Sequence, residues 1–263
     1  MLSAHFPPEF PISLILYIGF VAVVLGLVLG SFGNAWAWRI VHGEKISRGR
    51  SHCPACGHVL GVLDLFPLFS WLFLKGKCRY CGKPIPKRYP LTEAIFGLYL
   101  LCCLWRYGLS LPALRVALMG FFLFVASLVD WESMILPDGL LIAAAVPALL
   151  RLAESLSLWK DMLLGALIVP GLLLLLVLLL EKLRGKEMMG GGDIKLLVVL
   201  GLHFGPRQLF LLLILACVLG IVFAVLAKRG RTAAFPFGPV LALAAWITML
   251  LGSSIVCWYL SLF

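Results

Sequence analysis

The sequence predicts an all-α integral membrane protein with about eight transmembrane helices. Of its 263 residues, 62% are hydrophobic and only 13% are charged, whereas soluble domains usually carry about 25% charged residues. Several apolar runs approach or exceed the roughly 20 residues that cross the hydrocarbon core of a bilayer, and one long hydrophilic segment separates the first two runs. The predicted spans are Ile12–Trp38, Ala94–Arg106, Pro112–Val129, Pro137–Glu154, Asp161–Leu180, Gly192–Phe204, Leu209–Ala227 and Phe235–Leu260.

The spans differ in how well the sequence defines them. The second and sixth are short, so their ends are the least well defined, whereas the first and last are long enough to tilt or to extend past the bilayer. The N-terminal residues Met1–Pro11 contain no Lys or Arg, and no small-residue cleavage site follows the first apolar run. A signal peptide has a basic N-terminal region and a small-residue cleavage site, so we expect the first span to be retained.

Basic residues predict the orientation. Sixteen Lys and Arg residues fall in three segments on one side of an eight-span arrangement, and five fall on the other side. The basic side is expected to be cytoplasmic, which places both termini outside. The net charge of +10 is explained by this topology and by attraction to anionic lipid headgroups, so no nucleic-acid partner is expected. The three basic segments are Arg39–Thr92, the loop with Lys182, Arg184 and Lys186, and the loop with Lys228, Arg229 and Arg231.

Two C-x-x-C pairs lie in the hydrophilic segment Arg39–Thr92, with 21 residues between the pairs. Four thiolates at such spacing are the usual ligands of a structural tetrahedral zinc ion, and a metal would help to fold a segment with so small a core. Two disulfides or four unused thiols are the alternatives, but structural disulfides are rare in a reducing compartment. The predicted ligands are Cys53, Cys56, Cys78 and Cys81.

Other residues of these types receive simpler interpretations. His52 and His58 flank the first pair and could bind metal, but four cysteines suffice, so surface histidines are the expected interpretation. The other four cysteines lie in apolar spans and are typical of small buried hydrophobic residues; they are Cys102, Cys103, Cys217 and Cys257.

Two aspartates at the edges of spans are candidate functional residues, because ionisable groups in a membrane are costly. Asp130 ends the third span and Asp193 begins the sixth. Since these spans run in opposite directions, both carboxylates are expected near the cytoplasmic surface. The alternatives are that Asp130 caps or flanks a helix, and that Asp193 is an N-cap with Lys195 snorkelling. Asp138 either begins the fourth span or lines the site.

Two adjacent carboxylates suit aspartic proteolysis. They share a proton, so one can take a proton from water while the other protonates the scissile carbonyl. The glycines before Asp193, which are Gly190, Gly191 and Gly192, are expected to adopt positive φ and to let the backbone approach an extended substrate.

Four groups of residues resemble the bifunctional type IV prepilin peptidases with N-methyltransferase activity. They occur in the order of that family over most of the chain. The first is Gly30–Asn34 followed by Arg39; the second is Cys53–His58, Pro67–Trp71, Gly76–Cys81 and Arg88–Glu93; the third is Asp130 with Leu136–Asp138; and the fourth is Gly190–Leu196.

The resemblance implies the fold of a GxGD intramembrane aspartyl protease in the bacterial inner membrane. It implies that Asp130 and Asp193 are catalytic and cleave after a glycine at the end of a basic leader, on the cytoplasmic side. The substrates would be prepilins or pseudopilins of pilus or type II secretion systems, and the new N-terminal amine would be methylated with S-adenosylmethionine. The implied division is a first transmembrane helix in residues 1–38, a zinc-binding and methyltransferase segment in 39–92, and a peptidase domain in 93–263.

The residues of methyl transfer are less well defined. No glycine-rich loop follows a predicted strand, so the usual dinucleotide fingerprint is absent. Arg88 and Glu93, at the junction of the hydrophilic segment and the membrane, are candidates, with an interfacial anchor and a helix-start residue as the alternatives. Three other functions stay open: a proton-coupled transporter, a non-catalytic membrane-anchored zinc module, and a thiol–disulfide exchanger.

Overall fold

The computed structural model describes residues 11–47, 49–185, 189–226 and 236–261. The chain divides into two compact units, Met1–Leu109 and Ser110–Phe263. Two of the expectations above fall outside the described residues: the absence of a signal peptide in residues 1–10, and the basic loop that contains Lys228, Arg229 and Arg231.

The first unit contains two long helices that pack against each other. Helix α1 spans Ile12–Val41 and helix α3 spans Arg88–Tyr107. The hydrophilic segment between them contains a 3₁₀ turn at Val62–Asp64 and the short helix α2 at Phe69–Phe73. Both long helices extend beyond their predicted spans, because polar residues such as Arg39 and Arg88 continue the helical backbone past the apolar run. The predicted division after residues 38 and 92 therefore falls inside helices.

Within the described residues, the second unit is a bundle of five helices. Helix α4 begins after Ser110, whose hydroxyl accepts the Ala113 N–H at 3.3 Å, an N-cap that satisfies an otherwise unpaired amide. Helix α4 packs on α5 and α8, and α7 packs on α5, α6 and α8. The helices are α4 at Leu111–Ser133, α5 at Asp138–Glu154, α6 at Trp159–Arg184, α7 at Gly191–Leu226 and α8 at Gly238–Leu260.

Helices α6 and α7 make an especially close contact. A Cβ atom on Gly165 would lie 2.6 Å from the Gly205 Cα, and one on Gly201 would lie 2.7 Å from the Ala166 Cα. Small residues of this kind let helix backbones approach each other in a membrane, where packing replaces the hydrophobic effect.

Helix α7 is interrupted at Gly205, where φ is 75° and ψ is 174°, and Pro206 follows. The 36 residues of α7 would measure about 54 Å as one straight helix, well above the roughly 30 Å of a hydrocarbon core. The interruption lies between the predicted sixth and seventh spans, Gly192–Phe204 and Leu209–Ala227.

Five helical stretches in the described part of the chain are long and apolar enough to cross a membrane. Helices α3 and α5 are not among them, and α7 counts once, so the number of about eight spans stays a prediction. The all-α character is confirmed for the described residues, which contain no strands. The five stretches are Ile12–Val41, Leu111–Ser133, Leu156–Arg184, Gly191–Leu226 and Gly238–Trp258.

Candidate functional site

Asp130 lies in the last turn of α4 with a buried side chain, which is only 5% exposed. Its Oδ2 accepts a hydrogen bond of 2.8 Å from the backbone N–H of Gly238, the first residue of α8. The cap interpretation is therefore correct in part, because Asp130 caps a helix, although that helix is α8 and not its own. A buried carboxylate that binds the start of a neighbouring helix is held in one place.

Asp193 lies close to Asp130. It is the third residue of α7 and is half-buried, so it is inside the helix and is not its N-cap. Its carboxylate interacts electrostatically with that of Asp130. The linker between α4 and α5 also reaches this point, since the Leu136 Cβ would lie 3.1 Å from a Cβ on Gly192. Asp130 and Asp193 thus lie at one end of the bundle, and the expectation that this end faces the cytoplasm stays a prediction.

The expectation of positive φ in the glycine motif is wrong. Gly190, Gly191 and Gly192 all have negative φ, because the motif enters the first turn of α7 and has no sharp turn of its own. The motif needs glycine for packing space and not for its backbone conformation. Leu136 packs against Gly192, whereas a Cβ on Gly191 would meet no atom within 4 Å. Among the described residues, the position beside Gly191 is open to solvent.

Asp138 and Lys195 form an ion pair at the same end of the bundle. The Lys195 Nζ lies 2.7 Å from the Asp138 Oδ1, with side chains 59% and 66% exposed. The pair joins the first turns of α5 and α7, which supports the interpretation of Asp138 as a residue at a helix start. An exposed pair of this kind contributes little to stability.

The opposite end of the bundle carries a second charged group. Arg115 lies 2.6 Å from Glu154 and donates to the buried His203 ring at 3.0 Å, and Arg151 lies 2.8 Å from Asp161. Each of these four charges has a partner, and Glu154 and Asp161 lie away from the two aspartates.

In the first unit, the four predicted cysteines meet. The Sγ atoms of Cys53, Cys56, Cys78 and Cys81 all lie within 4.8 Å of one another, and those of Cys53 and Cys81 are 4.0 Å apart. Tetrahedral zinc with Zn–S bonds of about 2.3 Å requires sulfur atoms about 3.8 Å apart. The four side chains therefore fit a tetrahedral metal ion, and the alternative of unrelated thiols is not supported by this geometry.

The two C-x-x-C pairs have the same backbone structure. The Cys53 N–H donates to the His58 carbonyl, and the Cys78 N–H donates to the Lys83 carbonyl, both at 2.9 Å. Each turn closes on a glycine with left-handed φ, 70° at Gly57 and 69° at Gly82. The two pairs are distant in sequence, but they adopt the same turn and face each other. The fold of the segment therefore brings the four sulfur atoms together.

Backbone amides also affect the pKa of the cysteine thiols, and they favour the thiolate form of Cys78. The N–H groups of Cys81 and Tyr80 point to the Cys78 sulfur and lower the pKa of that thiol to about 7. In Cys56, the amide of His58 acts to lower the pKa, but burial and the neighbouring thiols raise it to about 11. Hydrogen bonds that favour the thiolate suit a metal ligand. The histidines do not join the cluster: His58 stacks on Tyr80 and His52 contacts the Trp38 ring.

Asp64 supports the second C-x-x-C turn and was not singled out from the sequence. Its Oδ1 lies 2.7 Å from the Arg79 Nε, and its Oδ2 accepts from the Tyr80 hydroxyl at 3.1 Å. Burial raises the pKa of the Asp64 carboxyl, but hydrogen bonds from Gly61, Tyr80 and Arg79 outweigh burial and lower the pKa overall. The only sequence signal was that Asp64 is one of two acidic residues in a strongly basic segment.

A cavity of about 290 Å³ lies beside the cysteine cluster in the first unit. Its lining includes Cys53, Cys78, Trp38, Trp71 and Glu93. Of the two methyltransferase candidates, Glu93 therefore lies at this cavity. Arg88 is not among the lining residues, and its guanidinium packs over the ring of Tyr89 at 5.0 Å.

Glu93 is 8% exposed and is held from two sides. Its Oε2 accepts the Leu68 N–H at 2.9 Å, and its carboxylate also accepts a hydrogen bond from the Ser31 side chain. The neighbouring Asn34, within the Gly30–Asn34 motif, donates to the Thr92 hydroxyl at 2.9 Å. The family-like residues of α1 and α3 thus surround one wall of the cavity.

The comparisons with known proteins cover both units. The description "Bacterial Peptidase A24 N-terminal domain" matches residues 24–107, and "Type IV leader peptidase family" matches residues 117–225. No solved structure is a significant match to the chain.

Similar curated proteins carry corresponding names. A protein of Stutzerimonas stutzeri named prepilin leader peptidase/N-methyltransferase is 34% identical, with 97% of this chain and 98% of that protein covered. A protein of the same name from Xanthomonas campestris is 33% identical, with coverage of 92% and 95%. The Escherichia coli type 4 prepilin-like proteins leader peptide-processing enzyme is 35% identical, with coverage of 88% and 93%. With both units matched and several apolar helices present, this multi-pass membrane protein belongs to the type IV leader peptidase family.

Proposed function

We propose that this protein removes the leader peptide of a type IV prepilin or pseudopilin and then methylates the new N-terminal amine. The observation that carries the peptidase half is the pairing of the buried Asp130 with Asp193 at one end of the second unit. Family membership and the names of the relatives support the substrate class. The cytoplasmic location of this end is part of the proposal and is supported by the distribution of basic residues.

The chemistry assigned to the two aspartates is that of two carboxylates at one end of the bundle. Two interacting carboxylates favour a state in which one is ionised and the other is protonated. The ionised group takes a proton from water, which attacks the scissile carbonyl, and the protonated group donates to the carbonyl oxygen. The open space beside Gly191 would admit the extended leader junction, and cleavage after a glycine would suit a narrow approach to Asp193.

Cleavage of a prepilin by the purified protein tests the peptidase. We expect Asp130→Asn and Asp193→Asn each to abolish cleavage without loss of folding. Asp161→Asn is the matched control, because Asp161 lies at the opposite end of the bundle in an ion pair with Arg151, and it should cleave normally. Cleavage retained in either active-site variant would remove that residue from the mechanism and would bring the transporter and zinc-module alternatives forward.

The methyltransferase half is assigned to the cavity of the first unit. S-adenosylmethionine would supply the methyl group, and Glu93 is the residue at the cavity that we assign to this activity. Zinc bound by Cys53, Cys56, Cys78 and Cys81 would have a structural role, because four thiolates leave no open coordination position for substrate. The metal would hold the wall of the cavity that Cys53 and Cys78 form.

Metal content and methylation measured on one set of variants test this assignment. We expect Cys53→Ser to lower bound zinc and to reduce methylation more than cleavage. Cys217→Ser is the matched control and should keep full metal content. Cys217 lies in the other unit on α7, where it is exposed and not buried as the sequence suggested, because it is on the outer face of the bundle. Normal methylation by a variant that lacks all four clustered cysteines would contradict the role assigned to the metal.

A further inference from the structure

Glu93 is a buried carboxylate without a cationic partner among the described residues. Its partners are the Leu68 amide and the Ser31 side chain, and neither is charged. The three cationic residues of the lining do not pair with it: Arg39 donates to the carbonyls of Ile46 and Gly49, Arg79 pairs with Asp64, and Lys83 forms no ion pair with Glu93 within the described residues. Since a buried charge is costly unless it is paired, this carboxylate is suited to a cation that the protein itself does not provide.

The backbone around Glu93 is built to hold the carboxylate in position. Leu68 has φ 61° and ψ −52°, and the Phe69 N–H donates to the Pro67 carbonyl at 2.6 Å. This is a γ-turn of the rare, strained type. The turn directs the Leu68 N–H at the Glu93 Oε2, and strained backbone of this kind is typical of ligand sites.

The cavity beside Glu93 is of a size and composition that suit an organic cation. It measures about 290 Å³, and the rings of Trp38 and Trp71 form part of its wall. Aromatic rings and a carboxylate together attract a cationic group that carries apolar substituents. Both the sulfonium of the methyl donor and the α-ammonium of a newly cut N-terminus have this chemistry.

We propose that the cavity of the first unit binds the methyl donor and that the Glu93 carboxylate contacts its sulfonium. This inference rests on the methyl transfer and the cavity proposed above, and it adds the role of Glu93, which is to contact the sulfonium. In the reaction, the amine nitrogen forms a bond to the methyl carbon, the bond from that carbon to sulfur breaks, and the neutral thioether S-adenosylhomocysteine leaves. The electron pair of the broken bond stays on sulfur, which becomes neutral, and the positive charge passes to the amine nitrogen, which then loses one proton.

A comparison of ligands on the unaltered full-length protein gives the first test. Calorimetry would measure S-adenosylmethionine, its neutral product S-adenosylhomocysteine, and sinefungin, in which an amine cation stands in place of the sulfonium. We expect both cations to bind about tenfold more tightly than the neutral thioether, as a charge pair near a protein surface allows. Equal affinities for all three would overturn the inference, whereas no binding of any of them would contradict the proposed methyltransferase itself.

Glu93→Gln then tests the residue. Glutamine can still accept the Leu68 N–H, so the turn should persist, and unchanged metal content would report an intact fold. We expect this variant to lose about tenfold in affinity for S-adenosylmethionine and to bind S-adenosylhomocysteine as before. The matched control is Glu44→Gln, an exposed residue of the same unit that does not line the cavity.

Two results would overturn the assignment. The first is an unchanged ratio of the two affinities in Glu93→Gln. The second is a variant that binds S-adenosylmethionine normally but binds a precut pilin peptide no better than its N-acetylated form. That result would assign the carboxylate to the substrate's α-ammonium and not to the methyl donor.

In the second unit, Gly238 approaches Asp130 too closely for any side chain. A Cβ on Gly238 would lie 2.7 Å from the Asp130 Oδ2, 3.1 Å from its Cγ and 3.2 Å from its Cβ. Within the described residues, the Gly238 amide is the one hydrogen-bond donor to this carboxylate. It occupies Oδ2 and leaves Oδ1 to accept a proton.

The geometry assigns Gly238 as a positioning residue for the proposed peptidase. The first amide of α8 holds the Asp130 carboxylate in one place, and glycine is required because a Cβ there would overlap the Asp130 side chain. This inference depends on the aspartyl mechanism, but its evidence is independent of the cavity in the first unit. Gly238 also lies beyond residues 117–225, the range that the peptidase family description matches.

Cleavage kinetics of Gly238→Ala test this role. We expect kcat to fall about 100-fold with KM unchanged, because displacement of a reacting group by about 1 Å has that effect and Gly238 contacts the carboxylate, not the substrate. Gly139→Ala is the control at the same end of the bundle, since a Cβ there would meet no atom within 4 Å. Thermal unfolding of both variants would show whether the helices remain packed.

Replacement of Gly238 by glycolic acid, which exchanges the backbone N–H for an ester oxygen, separates the hydrogen bond from the steric clash. It adds no atoms, so it decides the question even if Gly238→Ala unfolds, and we expect kcat to fall about tenfold or more. Wild-type kcat in the ester variant, with Asp130→Asn inactive, would overturn the role of Gly238 alone. Normal cleavage by Asp130→Asn would instead contradict the proposed peptidase mechanism.

Discussion

Substitution of Asp64 by asparagine tests whether the cysteine cluster is organised by its surroundings. Asp64 binds the two residues between Cys78 and Cys81, with its Oδ1 2.7 Å from the Arg79 Nε and its Oδ2 3.1 Å from the Tyr80 hydroxyl. Asparagine keeps one acceptor oxygen and replaces the other with an NH₂ donor, which faces a donor in either orientation. The second C-x-x-C turn would therefore lose one of its two polar contacts with Asp64.

The expected magnitude follows from exposure. A hydrogen bond to a charged group contributes about 1.5–3 kcal/mol, but solvent reaches one side of this pair, since the Arg79 side chain is 47% exposed and that of Asp64 is 6% exposed. Screening reduces the contribution of such a pair, so we expect a loss of about 1 kcal/mol. Because metal binding and folding of a small segment are coupled, this corresponds to about a fivefold loss of zinc affinity.

Competition with a chromophoric chelator would measure that affinity on the purified full-length protein in detergent. The control is Asp161→Asn, which breaks another Asp–Arg pair, at 2.8 Å, but in the second unit, and it should leave zinc affinity unchanged. If Asp64→Asn bound zinc as tightly as the unaltered protein, the cluster would not depend on Asp64, and the reasoning from hydrogen bonds would be refuted.

Three further predictions concern packing and backbone conformation. Gly165→Ala should lower the stability of the second unit by about 1–3 kcal/mol in thermal unfolding, because its Cβ would overlap the α7 backbone. The control is Gly171→Ala on the same helix, which should be neutral because a Cβ there would meet no described atom within 4 Å. Equal melting temperatures of the two variants would contradict the close contact of α6 and α7. Gly57→Ala and Gly82→Ala should each weaken zinc binding about tenfold, since left-handed φ costs an alanine roughly 1–2 kcal/mol. The control is Gly61→Ala, which should bind zinc normally because Gly61 has a φ of −80°. Unaltered zinc affinity in Gly57→Ala and Gly82→Ala would show that the turns do not need glycine. Glu154→Gln should destabilise the second unit by about 2 kcal/mol, because it breaks the ion pair with Arg115, in which the Arg115 side chain is 12% exposed and that of Glu154 is 21% exposed. The control is Asp138→Asn, which breaks the exposed pair with Lys195. A melting temperature of Glu154→Gln no lower than that of this control would argue against a stabilising ion pair.

The sequence identified most of the candidate site because the residues that would carry its chemistry are rare in a membrane protein. Carboxylates at the ends of apolar runs and paired cysteines in a basic segment are unusual in a membrane protein, so Asp130, Asp193 and the four cysteines stand out without a structure. Helix positions followed from hydrophobicity, and even the interruption at Gly205 falls between two predicted spans. Helix ends were less accurate, since Arg88 and Arg39 continue helices beyond the apolar residues.

Other features depend on contacts that no local pattern encodes. Asp64 is an ordinary acidic residue in the sequence, and it acquires a role only because folding brings it to Arg79 and Tyr80, 15 and 16 residues away. The positive φ expected at Gly190–Gly192 was wrong for a similar reason: the packing of Leu136 against Gly192 explains the missing side chain there, and an apolar contact of that kind leaves no mark in the motif.

The sequence by itself determined that this is an α-helical membrane protein with a cysteine-rich polar segment and two aspartates at span ends, because hydrophobicity, charge and residue type act locally along the chain. Only the tertiary structure decided which groups share a surface: the Gly238 amide on Asp130 across 108 residues, and the Leu68 amide on Glu93 across 25. Such contacts arise from the packing of distant segments, which depends on the shape of every intervening side chain and not on the residues that finally meet.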